Sequence, residues 1–220
     1  EASELKAYVT ATGGTILTCG NFKTHVFTGP GTFCVSCAGN AAGSNEVSYV
    51  VVAGGGGAGY YYAAAGAGGY REGKTPLCTY TQSPLACTSG SNNGLPVSVQ
   101  GYSITVGGGG AASNSQPVGL GTNGNPSTFS TITSAGGGGG RGVSGPSCAA
   151  GSGGSGGSAG YSSNAIGNGN TPPVSPSQGN NGGLAAPTSA GGGGGGAGAV
   201  GENSPGASQP GDGGIGVALG

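Results

Sequence analysis

Threonine, valine and phenylalanine alternate with small polar residues through the first fifty positions, and the alternation then stops at a block of glycines. Thr15–Thr18, Phe22–Thr28 and Thr32–Cys37 read as short β-segments, because β-branched and aromatic residues fit a pleated, half-buried surface. Thr28-Gly29-Pro30-Gly31-Thr32 reads as the turn between the last two, with Pro30 presetting φ and Gly31 supplying the positive φ of a type II turn. Period-two alternation puts Phe33, Val35 and Cys37 on one face and Cys34 and Ser36 on the other. Asn40–Asn45 reads as a loop. Val47–Val52 is an almost unbroken apolar run and predicts a strand buried on both faces.

The same grammar recurs. Val47–Val52 leads to Gly54–Gly57, Val97–Val106 to Gly107–Gly110, Ser127–Ala135 (with Phe129 and Ile132) to Gly136–Gly140, and Leu184–Ala190 to Gly191–Gly196. The runs begin at 54, 107, 136 and 191, so the spacing is irregular: a repeated device, not a tandem repeat. A glycine run makes a poor helix and an empty strand. It can form a polyproline II helix of three residues per turn whose amides bond sideways to similar helices, since no Cβ keeps them apart. Gly151, Gly154, Gly157 and Gly160 keep that period of three. The alternative reading is a flexible Gly/Ser linker. Residues 161–190, rich in Asn, Pro and Ser, read as an extended connection. No stretch carries a 3.6-residue apolar period with caps. The expectation is an all-β chain: a β-rich region over 1–53, then, over 54–220, short antiparallel strands alternating with packed polyproline II segments and surface loops.

Composition sharpens this picture. With 58 Gly and 13 Pro in 220 residues, and 8 Leu, 5 Ile, 15 Val and 4 Phe, the chain lacks material for a thick apolar core. It also carries 5 basic and 6 acidic residues, far fewer than a solvated disordered chain holds. Phosphate binding needs clustered Lys and Arg, so nucleic acid is excluded as a partner. No apolar run approaches the roughly 18 residues that would cross a membrane. The chain begins at Glu1, contains no Met and shows no signal peptide, so a processed or partial chain is expected.

Little else suggests chemistry. His25 is the single histidine and Asp212 the single aspartate, and neither sits in a catalytic motif. The glycine runs lack the lysine or the following helix of a phosphate loop. The reading is therefore a non-enzymatic protein with no cofactor, metal or nucleotide site. Six cysteines point to disulfides and an oxidising final environment. Cys78 and Cys87 flank a short Pro-containing loop and form the candidate local pair. Cys19, Cys34, Cys37 and Cys148 can pair in three ways. Cys34-x-x-Cys37 lacks a second knuckle for zinc. Tyr60-Tyr61-Tyr62, with Tyr70, Tyr80 and Arg71 nearby, is the sharpest local feature. Such a cluster serves as a contact surface for sugars or other partners, with Tyr60, Tyr61, Tyr62, Tyr70 and Arg71 as its candidates. Its structural alternative is a hydrophobic cover over the glycine layer. Arg71 and Glu72 read as an exposed ion pair.

Val50-Val51-Val52-Ala53 before four glycines, Gly68-Gly69-Tyr70-Arg71-Glu72, residues Leu95 to Gly107, Ser130-Thr131-Ile132-Thr133-Ser134-Ala135, and the segment from His25 to Phe33 together resemble the glycine-rich tail-fibre-like proteins of tailed phages of marine bacteria. The resemblance spans nearly the whole chain. It implies a structural protein of the virion surface, extracellular in its final location, that assembles as a homotrimer. By similarity to glycine-rich phage adhesins it also implies packed polyproline II layers, with loops at 58–72, 78–94 and 161–182 meeting a host-surface glycan or outer-membrane receptor. Six cysteines depart from what a protein assembled in bacterial cytosol is expected to carry. An extracellular filament subunit that adds strands copy to copy is the second expectation. An ice-binding polyproline II bundle, which needs a stricter Gly-x-x repeat, is the third.

Overall fold

The computed structural model describes residues 4–78, 80–86, 93–114, 119–142, 149–160, 165–186 and 190–218. Among them there is no helix, and the ordered backbone divides into short strands and long glycine-rich segments. The strands are β1 (Val9–Thr12), β2 (Thr15–Cys19), β3 (Phe22–Val26), β4 (Gly31–Ala38), β5 (Glu46–Val47), β6 (Tyr49–Val52), β7 (Tyr70–Gly73), β8 (Leu95–Pro96), β9 (Gly101–Thr105), β10 (Ser127–Phe129) and β11 (Ile132–Ser134). One five-stranded sheet has the order β1-β4-β9-β10-β11, with every pairing antiparallel. The hairpin β2-β3 and the pairs β5-β8 and β6-β7 form three two-stranded sheets. Since β9, β10 and β11 complete the sheet begun by β1 and β4, the compositional boundary at residue 53 is crossed by one hydrogen-bonded sheet.

The side-chain core is small and largely aromatic. Phe33, Val35, Val51, Val97, Tyr102 and Phe129 are buried together. Phe129 is its hub, meeting Phe33, Tyr102 and Tyr49 at centroid distances of 5.7, 6.2 and 6.4 Å in edge-to-face arrangements. His25 belongs to this structure: its ring stands edge-on to Phe33 at 5.0 Å, and its Nδ1 lies 2.8 Å from the Gly13 carbonyl oxygen.

Several local expectations are corrected. Residues 47–52 are not one strand buried on both faces. Ser48 separates β5 from β6, and β6 has one inward face, Tyr49 and Val51, while Val50 and Val52 are exposed. Gly31 does not take a positive φ; it opens β4, and its missing Cβ leaves room for the Phe27 ring. Cys37 does not share the inner face with Phe33 and Val35. Thr10 pairs with Cys37 and Ala11 with Val35, so Ser36 is the extra residue of a β-bulge, and the alternation slips to put Cys37 outside. Residues 127–135 form a hairpin, β10 to β11, around Ser130 at φ 54°.

Beyond the strands the chain is held by its own backbone. β6 continues into 53–58, which returns through 63–69 to β7. β9 continues into 107–113, which returns through 119–125 to β10, and β11 runs out into 135–142. Lateral hydrogen bonds join these segments at every third residue. Gly137 and Gly140 donate to the carbonyls of Gly54 and Gly57, and Gly121 and Gly124 to those of Gly140 and Gly137. Gly66 and Gly69 donate to Gly138 and Ala135, and Gly151 and Gly154 to Gly139 and Gly136. A three-residue repeat is the turn of a polyproline II helix. The segment 149–160 is not a single run of that kind. It bends at 153–155 and folds back, with Gly157 donating to Gly151.

The central segment explains why the runs are pure glycine. A Cβ at Gly136 or Gly139 would strike the backbone of 121–124, one at Gly137 or Gly140 that of 63–67, and one at Gly138 that of Gly151. All three positions of the repeat face a neighbouring chain, so all three must be glycine. Gly191–Gly196 repeats the arrangement: 191 and 194 face 62–65, 192 and 195 face 180–184, and 193 and 196 face 212–215. At the margin the requirement relaxes. Gly108 and Gly109 are exposed, and a Cβ there would meet nothing closer than ordinary contact distance.

Two substitutions with one chemistry should therefore separate. Gly138→Ala forces a methyl into packed backbone and should lower stability by at least about 2 kcal/mol or prevent folding. Gly109→Ala should be neutral or stabilising by up to about 1 kcal/mol, because alanine restricts the unfolded chain. Urea unfolding followed by circular dichroism measures both, and equal effects would contradict the packing described.

Candidate functional site

The glycine segments have two unlike ends. At the near end they open into the strands of the aromatic core. At the far end stand the turn 59–63, Asn114 and Gly119, Gly142, Ala149, Gly160, Ala165, Ala186 and Ala190. These include the residues flanking 115–118, 143–148, 161–164 and 187–189, which lie outside the described residues.

The turn 59–63 is built by the backbone. Gly59 donates to the carbonyl of Ala63 at 3.0 Å, and Tyr60 donates to that of Gly119 at 2.9 Å. Gly142, Gly160 and Gly191 lie directly against the carbonyls of Tyr60, Tyr61 and Tyr62, and a Cβ at any of them would collide with the turn. Tyr61 and Tyr62 hold φ of 54° and 63°. That left-handed conformation costs an L-residue roughly 1–2 kcal/mol each. Their rings point outward, 47% and 62% exposed. Tyr60 and Tyr61 meet edge-on at 4.5 Å, and Tyr62 lies 6.2 Å beyond. The hydrophobic-cover reading fails for Tyr61 and Tyr62: their backbone is packed and their side chains are not.

The other proposed contact residues lie elsewhere. Tyr70 is buried on β7 near the opposite end, 8% exposed. Its hydroxyl donates to Glu72 Oε2 at 3.0 Å. Arg71, half-buried on the other side of that strand, forms no exposed pair with Glu72, because Glu72 is itself buried at 4% exposure. Glu72 also accepts hydrogen bonds from the Ser83 amide at 3.1 Å, the Ser83 hydroxyl at 2.5 Å and the Tyr80 side chain. Lys74 Nζ donates to the Tyr80 carbonyl at 2.6 Å and sits 5.1 Å from that ring's centroid. This network fastens residues 74–78 and 80–86 to β7, and one Glu beside Arg71 gave little sign of it. Burial, with the Glu72 carboxylate beside it, raises the Tyr80 phenol. Burial is also the largest cause of the rise at Tyr70, to about 12.

Amide side chains escaped the sequence reading as well. Gln178, 1% exposed, accepts from the Ala135 amide at 2.8 Å and donates to the Pro172 carbonyl at 2.9 Å, while its own carbonyl accepts from Tyr70. Asn123 bonds Gly139 and Ser152, and Asn180 bonds Gly196 and Ala197. A carboxamide is a peptide group on a side chain, so it completes lateral bonds that the backbone leaves open. The signal available was the recurrent Asn or Gln beside glycine.

Cys19, Cys34 and Cys37 are exposed free thiols, and Cys78 is a half-buried one with its Sγ 3.1 Å from Ser48 Oγ. Cys87 and Cys148 lie outside the described residues. Three residues along one strand span roughly 10 Å, beyond the reach of a disulfide, so Cys34 and Cys37 of β4 do not bridge each other. Among the described residues no three His, Cys, Asp or Glu side chains converge to hold a metal ion, and no helix is long and apolar enough to cross a membrane.

A family model described as a glycine-rich domain matches residues 28–220. The chain belongs to the glycine-rich domain family. No curated protein and no solved structure matches it. In this glycine-rich domain the described parts of the loops at 58–72, 78–94 and 161–182 do not form one surface. Residues 63–69 and 178–182 are bundle segments, and 80–86 pack beside β7. Within the described parts of those loops, the tyrosine turn faces outward from a packed backbone.

Two outcomes follow. Replacing Tyr61 with Gly should leave the melting temperature unchanged or raise it, since strain is relieved and little packing is lost; a clear fall in thermal unfolding experiments would mean that the ring supports the fold. Alkaline pH should weaken the fold from about pH 10 to about 12. An unfolded tyrosine ionises near its ordinary 10.0 while Tyr70 keeps its proton to about 12. The unfolded chain then binds fewer protons, and stability falls as pH rises through that window. Tyr70→Phe should flatten the fall in unfolding titrations, and an unchanged slope would remove Tyr70 as a cause.

Proposed function

We propose that this glycine-rich domain is a structural appendage protein of a virion, a fibre or fibre-tip component, that offers the far end of its bundle for attachment to a host cell. The observation that carries the reading is the tyrosine turn: exposed aromatic rings, held in a strained backbone, at the end of a rigid bundle remote from the strands. Strained residues that do not serve packing concentrate at functional sites. The resemblance to tail-fibre-like proteins of marine phages agrees with it. So does the near absence of charge, which leaves copies of the chain free to associate. A homotrimer is the expected assembly.

A second reading has its own observation. Among the described residues the hairpin β2-β3 pairs with no other strand, and Ile16, Leu17, Phe22 and Val26 on it are exposed. A lone two-stranded hairpin is marginal in water, and its open edges suit strand addition between copies, which would build an open filament.

Light scattering on a sizing column separates the two: a single mass near three chains supports the fibre, and a broad open-ended distribution supports the filament. Fluorescently labelled protein should adsorb to intact cells of some marine bacterial isolates, and the Tyr61→Gly, Tyr62→Gly double variant should lose that adsorption. A double variant that adsorbs as well as the parent would defeat attachment through this turn.

A further inference from the structure

We infer that Tyr61 and Tyr62 form a stacking platform for a neutral saccharide, an inference that rests on the attachment reading above and gives its ligand a chemical class. It begins from a choice of residue that folding does not explain. Glycine occupies 58 positions of this chain. It takes the positive-φ positions 13, 14, 20, 39 and 119, and the small polar residues Ser130 and Asn170 take two more. At 61 and 62 the backbone adopts the same left-handed region, yet the residues are tyrosines. Burial offsets little of the cost, because Tyr61 and Tyr62 are 47% and 62% exposed. Glycine at either position would suit the turn better, so the reason for tyrosine lies outside the folded chain.

The geometry suits a flat, semi-polar ligand. The carbonyls of Tyr60, Tyr61 and Tyr62 are packed against Gly142, Gly160 and Gly191, so the turn cannot easily yield. Tyr60 buttresses Tyr61 edge-on, and the Tyr61 and Tyr62 rings are tilted by 47°. Two χ angles per tyrosine and a fixed backbone keep the entropic cost of binding low. The aromatic face is the negative part of the ring quadrupole. It attracts the polarised C–H face of a pyranose, while the phenol hydroxyls can exchange hydrogen bonds with sugar hydroxyls.

Charge decides the class of sugar. Among the described residues that border the turn, the ionisable side chain is Arg141, and it is buried, with desolvation lowering its pKa from the usual guanidinium value. Leu120, next to the Gly119 that accepts from the Tyr60 amide, is exposed beside the turn. Among the described residues there, a sulfated, phosphorylated or uronic-acid chain would find no exposed cation, whereas a neutral pyranose needs none.

The test is a printed array of neutral and acidic oligosaccharides, probed with the full chain and with Tyr61→Gly, Tyr62→Gly and Tyr61→Trp, each first checked for its melting temperature. The expected result is binding to neutral pyranosides. Each glycine variant should weaken it at least about tenfold, equivalent to about 1.4 kcal/mol, with no loss of thermal stability, and Tyr61→Trp should retain it. Binding confined to acidic glycans, no binding at all, or binding indifferent to both tyrosines overturns the inference. Adsorption of the same proteins to cells keeps the two levels apart. Tyrosine-dependent adsorption with a silent array leaves attachment standing and points to a protein receptor. Adsorption that ignores the tyrosines removes attachment through this turn.

Discussion

The lateral hydrogen bond between glycine backbones, repeated every third residue, is the interaction on which this molecule depends. It forms only when two chains approach more closely than a Cβ allows. At Gly136–Gly140 and Gly191–Gly196 a neighbour stands on every side, and the sequence has no freedom left. Each glycine loses more backbone entropy on ordering than alanine, by roughly 0.5–1 kcal/mol. A net hydrogen bond contributes about 0.5–1.5 kcal/mol, so the bonds are of the size needed to offset the loss, provided nearly every segment finds its partners. Such cohesion is collective, and a single misplaced methyl interrupts several chains at once.

Two kinds of cohesion meet in one chain. The aromatic cluster around Phe129 holds the strands by side-chain burial, and the bundle is held by backbone alone. They join where strands turn into glycine runs, and small hydroxyls mark the seam. Ser134, fully buried, donates to the Val51 carbonyl at 2.7 Å, and Ser127 accepts from the Gly107 amide at 2.9 Å. Serine fits there because it is barely larger than glycine and satisfies a backbone group that changes partners between sheet and bundle. Gln178 does the same further out: its buried side chain links 135 and 172, and its main-chain carbonyl accepts from the Tyr70 amide.

Much of this was legible in the sequence. Valine- and threonine-rich stretches give strands, glycine runs that follow them give a bundle of period three, and the absence of helical periodicity holds throughout the described residues. What escaped depends on three-dimensional pairing. Alternation alone cannot locate the bulge at Ser36 that turns Cys37 outward, because a bulge belongs to the register between two strands. Nor could it tell that Val50 and Val52 would be exposed, since an apolar run does not say how many faces will be covered. Of the contact residues the sequence suggested, Tyr61 and Tyr62 are exposed while Tyr70 is drawn inside by Glu72. Five tyrosines within twenty-one positions look alike until the backbone assigns them to a turn, a strand or a loop.

The division between ends has a consequence for how such a chain can change. Within the bundle a substitution meets backbone on all sides, so its interior accepts almost nothing. A far-end turn needs only its backbone: the glycines that touch 60–62 meet the tyrosine carbonyls, not the outer rings. Side chains at 61 and 62 can therefore be exchanged without disturbing a lateral bond, and the strained φ favours glycine there in the absence of any other demand. A rigid interior with permissive tips lets a surface change its chemistry without changing its shape. In a chain so rich in glycine, aromatic residues at those two positions are the clearest mark of a demand from outside the fold.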